Sequence, residues 1–247
     1  NNMRRLLLAI ALLAVTAGMA FAGPNAGVVL SVQGNVDGVE TNGVPCEAIA
    51  LPATCEELVP NATGDVNGVN WYLAVVVSDP DNTPNFNTVT FGLGAYDPYT
   101  DGYIGFYGPC VAGALEVSTA GWPFGGEGTA VSWAPDCLYG YMEPVYYFGV
   151  YPYGGSIPLG LHPVQGGNVV DCSADPQTDD FMGFGGMEGT NPTCPGGGGP
   201  EPGACCFGPT CVMMLESECL DQGGDWYGGD CGPNNEPCPQ DPTPTQE

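Results

Sequence analysis

Residues 71–78 read WYLAVVVS, a nearly continuous apolar run that Asp79-Pro80 ends. An apolar run of this length between turn residues is typical of a strand in the centre of a sheet, buried on both faces. The composition allows such a core, since 43% of the residues are hydrophobic and 10% are aromatic. With 40 Gly and 25 Pro, the chain favours turns over helices. The run therefore predicts a fold of strands packed around a central one.

Further strand signals, separated by Gly, Pro and Asp, recur on both sides of this run. They cover residues 28–33, 88–93, 103–107, 114–118, 129–133, 144–151, 157–161 and 168–171. In 88–93 the apolar residues alternate, so Val89, Phe91 and Leu93 share one face. Within residues 23–194, only 55–59 has a helical pattern, of one turn at most, before Pro60. Strands without alternating helices predict an all-β fold, a disulfide-bearing, jelly-roll-like β-sandwich.

The first 22 residues have the features of a secretory signal peptide. Arg4 and Arg5 form its positive start, 6–17 is an uncharged apolar run, and 20–22 (Ala-Phe-Ala) supply a cleavage site before Gly23. The alternative is an uncleaved membrane anchor, for which the apolar run is at the short limit. The small residues at 20–22 favour cleavage. We therefore expect a secreted, extracellular protein, with the cell envelope as the alternative location.

The charges of the chain are divided sharply between the leader and the rest. The leader holds both basic residues, whereas all 28 Asp and Glu residues follow it, and the net charge is −26 at pH 7. Nucleic acids and anionic membrane surfaces are excluded as partners, because binding them requires Lys or Arg. Neutral glycans, divalent cations and other extracellular proteins remain as partners. The simpler interpretation is that the charge only keeps an exported protein soluble.

Twelve cysteines in an exported chain predict disulfides rather than thiols. They are Cys46, Cys55, Cys110, Cys137, Cys172, Cys194, Cys205, Cys206, Cys211, Cys219, Cys231 and Cys238. For the first six we expect nearest neighbours to pair, each pair bracketing a loop or hairpin. In the second group, adjacent Cys205 and Cys206 are poorly placed to bond each other. Zinc is disfavoured, because the chain has no C-x-x-C pair and a single histidine.

The mature chain divides into four segments by composition. Residues 23–194 form the β-sandwich domain, 195–203 (PGGGGPEPG) a Gly/Pro linker, 204–238 a Cys-rich module, and 239–247 a disordered, Pro-rich tail. A module this short needs its cysteines as a core. Within it, 215–221 predicts a short helix that Gly223 caps, with Trp226 as the large apolar side chain.

Several short motifs carry a resemblance to a known group of proteins. The module contains Gly203-Ala204-Cys205-Cys206, Cys211, Cys219, Gly223-Gly224-x-Trp226 and Cys231. The larger domain contains Asn70-Trp71-Tyr72, Gly121-Trp122-Pro123, Val145-Tyr146-Tyr147-Phe148 and His162-Pro163-x-Gln165-Gly166-Gly167-Asn168. Together they resemble uncharacterised exported bacterial proteins that pair an all-β domain with a short GACC-type Cys-rich module. The resemblance implies export and this domain layout, and it carries over no catalytic or binding residue.

Catalytic patterns are weak in this sequence. Glu116, Glu127, Asp136 and Glu143 lie near strands in an aromatic-rich region, as paired carboxylates of glycosidases do. With 28 acidic residues, such proximity arises by chance. His162 precedes a proline, and we expect it to anchor a turn by donating to a loop carbonyl. The sequence therefore predicts no catalytic residue, and the protein is expected not to be an enzyme.

One loop is a weak candidate for calcium. Asp79, Asp81 and Asn82 cluster oxygen ligands directly after the central strand. Asp and Asn are also ordinary turn residues, and this interpretation is favoured. No other cofactor is expected.

Two tyrosine-rich stretches are the last feature of the sequence. They contain Tyr96, Tyr99, Tyr103, Phe106 and Tyr107, and then Tyr139, Tyr141, Tyr146, Tyr147, Tyr151 and Tyr153. Facing outward, they would form a platform for sugar rings; facing inward, they would form an ordinary core. We expect a secreted or cell-surface structural or interaction protein. The alternatives are a carbohydrate-binding module that uses these tyrosines and, less favoured, a glycosidase.

Overall fold

The computed structural model describes residues 23–196, 203–214, 219–220, 223–227, 231–232 and 238. The predicted signal peptide, residues 197–202 of the predicted linker, most of the predicted helix 215–221 and the predicted tail lie outside the described residues. The chain divides into two compact units, Asn1–Gly196 and Gly197–Glu247. Each is described by itself below.

The described part of the first unit consists mainly of strands. They are β1 (Val29–Gly34), β2 (Asn70–Val77), β3 (Thr88–Leu93), β4 (Gly102–Pro109), β5 (Leu115–Ser118), β6 (Gly128–Ser132), β7 (Met142–Pro152), β8 (Ile157–Gly160), β9 (Asn168–Val170), β10 (Thr178–Asp180) and β11 (Gly186–Met187). A short helix α1 (Pro45–Ala48) and a 3-10 turn (Cys55–Glu57) precede β2. Every strand predicted from the sequence is confirmed. No helix among the described residues has both the length and the apolar character that a membrane span requires.

The strands form two antiparallel sheets. Sheet one has the order β1-β2-β7-β4, and sheet two has the order β10-β9-β3-β6-β5, with β8 paired to β3 and β11 paired to β8. Fully buried side chains of both sheets, including Tyr72 and Phe148 of sheet one and Val89 and Phe91 of sheet two, form one continuous apolar cluster between them. The predicted all-β sandwich is thereby confirmed.

The central strand β2 is buried on both faces, as its sequence predicts. Its alternate residues divide between two clusters: Tyr72, Ala74 and Val76 pack between the sheets, and Leu73, Val75 and Val77 pack on the outer face of sheet one. Residues Ile49, Leu58 and Val69 of the segment between β1 and β2 join the outer cluster. This segment, residues 35–69 and here called the cover segment, therefore supplies the apolar cover that the outer face of sheet one otherwise lacks.

The disulfides of the first unit do not join nearest neighbours, so that prediction was wrong. The bonds are Cys46–Cys110, Cys55–Cys194 and Cys137–Cys172, with sequence separations of 64, 139 and 35 residues. The first two bonds attach the cover segment, at α1 and at the 3-10 turn, to the end of β4 and to the end of the unit. Pairing follows the packing of distant elements, which local spacing does not reveal.

The second unit contains a small antiparallel sheet of β12 (Gly203–Phe207), β13 (Thr210–Met214) and β14 (Asp225–Trp226), in the order β13-β12-β14. Gly208, at φ +62°, begins the two-residue turn between β12 and β13, as such hairpin turns require. The bonds are Cys205–Cys219, Cys206–Cys238 and Cys211–Cys231. The predicted failure of Cys205 and Cys206 to pair is confirmed, because neighbouring residues of a strand point to opposite faces.

The module core and the predicted cap are also as expected. The cysteines at 205, 206, 219 and 238 are buried, whereas Trp226 is only half-buried. Gly223 adopts φ +75° and donates its N–H to the Leu220 carbonyl, and Gly224 donates to the Cys219 carbonyl. This pair of bonds is the Schellman motif that ends helices. Among the described residues of the module, the core is therefore formed by sulfur rather than by aromatic packing.

Candidate functional site

The outer face of sheet one carries a line of five aromatic rings, here called the aromatic strip. It consists of Tyr147, Trp71, Phe106, Tyr151 and Tyr103. The ring centroids of Trp71 lie 6.2 Å from those of Tyr147 and 5.5 Å from those of Phe106. Tyr151 continues the line at 6.4 Å from Phe106, and it stacks on Tyr103 at 6.5 Å with 25° between the planes. The strip therefore crosses three neighbouring strands without interruption.

Strand alternation and two glycines produce this arrangement. On β7 the inward residues Phe148 and Val150 alternate with the outward Tyr147, Gly149 and Tyr151. A Cβ atom at Gly149 would lie 2.8 Å from Cζ3 of Trp71, so glycine is what lets the Trp71 and Phe106 rings meet above it. A Cβ atom at Gly105, in the bulge of β4, would likewise lie 2.8 Å from the Tyr151 ring.

Solvent exposure varies along the strip. Trp71 is buried, whereas Tyr103 and Phe106, on the edge strand β4, are each 46% exposed. The indole of Trp71 donates to Oδ2 of Asp65 at 3.1 Å. Although desolvation acts to raise the pKa of Asp65, hydrogen bonds from the Val69 N–H, this indole and the Asn67 N–H hold that pKa below its usual value. The strip thus has a fixed, hydrogen-bonded base and an accessible edge.

A cavity adjoins one end of the strip. Its volume is about 310 Å³, and Tyr147 forms part of its wall together with the Cys46–Cys110 disulfide. The remaining lining comes from Gly43–Glu47 of the cover segment and from Pro109 and Ala112 after β4. Glu47 is the one charged residue of the lining. The aromatic surface therefore continues into a concave, weakly acidic recess.

The other predicted aromatic residues lie elsewhere. Tyr99, Tyr139 and Tyr153 are exposed outside the ring contacts of the strip. Tyr107 meets Trp122 on the inner side of sheet one, and Tyr141 is half-buried. Tyr96 donates its hydroxyl to the Pro123 carbonyl at 2.7 Å, and burial raises its pKa to about 12. The two stretches are therefore divided between a surface and a core, which the sequence left open.

Tyr146 belongs to the core and binds the first of the predicted carboxylates. Its hydroxyl is fully buried, accepts from the Trp122 indole at 2.9 Å and donates to Oε1 of Glu116 at 2.6 Å. Thr129 and Ser118 donate to the same oxygen at 2.8 and 3.2 Å. Burial, and then the Glu116 hydrogen bond, raises the pKa of Tyr146. Glu116 thus has three hydroxyl donors on one oxygen.

The other predicted carboxylates lie on separate elements. Glu143, on β7, accepts the Gly140 N–H at 2.8 Å, and burial raises its pKa. Glu127 lies in the turn before β6, with its carboxylate beside Gly121. Asp136 follows β6 and is exposed. Three of the four predicted carboxylates, those of Glu116, Glu127 and Glu143, are thus half-buried, and Asp136 is exposed.

A second, partly buried carboxylate network was not anticipated from the sequence. Glu188, at a positive φ of 54°, accepts the Tyr72 hydroxyl and, at 3.0 Å, the Asn70 amide. The backbone N–H of Ala62 also donates to it, at 3.2 Å. Burial, followed by the bond to Glu188, raises the pKa of Tyr72. No local pattern indicates this network, because Glu188 lies more than 100 residues from Asn70 and Tyr72 in the sequence.

The calcium candidate forms a compact turn. Oδ1 of Asp79 accepts the Asp81 N–H at 2.9 Å, and the Asn82 amide donates to the Ala26 carbonyl at 3.1 Å. The first of these is the bond of an Asx turn, and the second ties the loop to the segment before β1. Calcium binding here remains a prediction.

The buried His162 anchors a turn, but through the opposite hydrogen bond to the one predicted. Its Nδ1 accepts the N–H groups of Val164 and Gln165 at 3.1 and 3.0 Å, instead of donating to a carbonyl. The ring proton therefore lies on Nε2.

In the second unit, the sulfur atoms of Cys206, Cys211 and Cys238 lie within 4.8 Å of one another. Their disulfide bonds leave no thiolate there for a metal.

Comparisons with protein-family models, curated proteins and solved structures give no match for this chain. The aromatic strip is the site with the most distinctive geometry among the described residues.

Proposed function

We propose that this is an exported, non-catalytic interaction protein that binds neutral carbohydrate on the aromatic strip. The observation that carries the proposal is the contact series of five rings on the outer face of sheet one, of which Phe106 and Tyr103 on the edge strand are each 46% exposed. Aromatic faces attract the C–H faces of sugar rings, and burying them removes apolar area from water.

Charge supports a neutral ligand. Beyond Arg5 the sequence has no Lys or Arg, and the net charge of −26 repels anionic polymers. Sugar hydroxyl groups can donate to carboxylates, which this surface supplies at Glu47 in the recess beside Tyr147. Among the described strands β4 pairs only with β7, so the other edge of β4, along Tyr103 and Phe106, adds backbone groups that can bind a ligand. A neutral chain of sugar units can therefore combine stacking with hydrogen bonding here.

The carboxylate geometry supports the non-catalytic half of the proposal. A glycosidase needs one carboxylic acid and one carboxylate facing each other across a substrate. Glu116 instead receives three side-chain hydroxyls, and Glu143 receives a backbone N–H. Turnover in a hydrolase screen that Glu116→Gln or Glu143→Gln abolishes would contradict this half.

A neutral-glycan array followed by calorimetric titration tests the binding half. For Phe106→Ala and for Tyr103→Ala we expect Kd to rise roughly 5- to 30-fold, because each loses about 1–2 kcal/mol of stacking. Tyr139→Ala is the matched control, since Tyr139 is 67% exposed and outside the strip. Unchanged melting temperatures verify folding. Binding of no neutral glycan, or equal effects of all three variants, would overturn the proposal.

A further inference from the structure

Gly23, the residue that follows the predicted cleavage site, lies against a buried carboxylate. Its backbone nitrogen donates to Oδ1 of Asp179 at 2.8 Å, and the Asn25 nitrogen donates to Oδ2 at 2.9 Å. Asp179, on β10, is only 7% exposed. One aspartate thus receives two backbone nitrogens from a segment 154–156 residues away.

The position of Gly23 is fixed by the residues around it. The Asn25 side chain donates to the Asn85 carbonyl at 3.0 Å and accepts the Asn85 N–H at 3.0 Å. A Cβ atom on residue 23 would lie 2.3 Å from Oδ2 of Asp179, so the site admits glycine alone without rearrangement. The carboxylate and the nitrogen are therefore placed together by tertiary structure and not by local flexibility.

The nitrogen of Gly23 differs in charge between the chain with its leader and the chain without it. The sequence beyond it contains no Lys or Arg, so the α-amino group of a chain that starts at Gly23 is its one primary amine. In a leader-bearing chain the same nitrogen is a neutral amide. A buried carboxylate is costly without a cation or strong donors. Hydrogen bonds from charged donors are about twice as strong as neutral ones.

We propose that removal of the leader creates an α-ammonium group at Gly23 that forms an ion pair with the buried carboxylate of Asp179. A signal-peptidase-type enzyme hydrolyses the Ala22–Gly23 bond with one water molecule. The water oxygen goes to the new Ala22 carboxylate, and the Gly23 nitrogen takes up protons to become the ammonium group. Processing thereby supplies the one strong cation of the mature chain beside the carboxylate that already accepts a hydrogen bond from its nitrogen. This inference rests on the predicted cleavage and is independent of the proposed glycan binding.

Three forms of the exported protein test the ion pair. They start at Gly23, start at Ala22, or start at Gly23 with an acetylated α-amine. We expect the second and third to melt at least about 3 °C below the first, because a charge-assisted bond becomes a neutral or displaced one. Asp179→Asn should remove most of this difference, whereas Asp180→Asn, the exposed neighbour on β10, should preserve it. Equal melting temperatures of the three forms would refute the ion pair.

Amine labelling provides a second measurement that does not depend on the Asp179 variant folding. Because the mature chain has no lysine, an amine-reactive ester reports on the α-amine alone. The native form that starts at Gly23 should react at least about tenfold more slowly than the form that starts at Ala22 or than the urea-unfolded protein, because pairing with Asp179 stabilises the protonated amine and lowers the fraction of free, nucleophilic amine. Equal native rates, or mass spectrometry showing that the exported chain starts elsewhere than at Gly23, would overturn the proposal.

Discussion

Tyr146 and Tyr72 each donate a buried hydroxyl to a glutamate, Glu116 in one case and Glu188 in the other. In proteins with ordinary composition, lysine and arginine commonly meet such carboxylates. Here hydroxyl, amide and backbone N–H donors take that place, because no Lys or Arg follows Arg5. Burial raises the pKa of both phenols, so they stay protonated and remain donors. Each phenol therefore serves both as a core side chain and as the partner of an acid.

Replacing Tyr146 by phenylalanine isolates the contribution of one such hydroxyl. The ring packing is kept, but the Trp122 indole loses its acceptor and Glu116 loses its closest donor. We expect the free energy of unfolding to fall by about 1–3 kcal/mol, since buried polar groups are left unsatisfied. Urea unfolding measures the change. Tyr139→Phe, on an exposed residue, should stay within about 0.5 kcal/mol of the parent, and equal stability of the two variants would contradict the assignment.

At the scale of elements, β2 organises the first unit because both of its faces are buried. One face meets sheet two, and the other meets the segment that carries α1 and the 3-10 turn. That cover reaches Trp71 and Tyr147 of the aromatic strip and leaves Tyr103 and Phe106 partly exposed, so the outer face of sheet one is partly core and partly surface. The pairing register of β2, β7 and β4 that places side chains in the core therefore also positions the rings of the aromatic strip.

Gly149→Ala tests this link between register and strip. The added methyl group would lie 2.8 Å from Trp71 and 3.1 Å from Phe106, so at least one ring must move. We expect a loss of about 1–3 kcal/mol in the free energy of unfolding, as overpacking produces, together with weaker glycan binding. Urea unfolding and calorimetric titration measure the two effects. Unchanged stability and affinity would show that the rings do not depend on each other's position.

The strands of the first unit were predictable because their signals are local. The apolar run 71–78 and the alternation in 88–93 lie within single elements, and both predictions are confirmed. By contrast, β10 has the polar sequence Thr-Asp-Asp and β11 has two residues, so neither carries a pattern. The aromatic strip could be predicted only in part, since the outward or inward direction of each tyrosine depends on the bulge in β4 and on pairing across three strands.

For the whole molecule, cross-links and apolar packing replace ion pairing between side chains. The Cys55–Cys194 bond closes a loop of 139 residues, and the Cys46–Cys110 bond closes one of 64. Restricting the unfolded chain over such loops stabilises a fold by about 4–5 kcal/mol per bond in the chain-entropy account. The Cys46–Cys110 bond fastens the cover segment to the end of β4 in the sheet that it buries, and the Cys55–Cys194 bond fastens it to the end of the unit. A chain with a net charge of −26 can therefore remain compact despite its self-repulsion.

Disulfide mapping of the native protein tests this account most directly. The protein is alkylated without reduction and digested with pepsin, because trypsin finds no Lys or Arg beyond Arg5, and the linked peptides are identified by mass spectrometry. The account predicts no alkylated cysteine and, in the first unit, the links Cys46–Cys110, Cys55–Cys194 and Cys137–Cys172. Alkylated thiols in the folded protein, or a Cys46–Cys55 link, would contradict it.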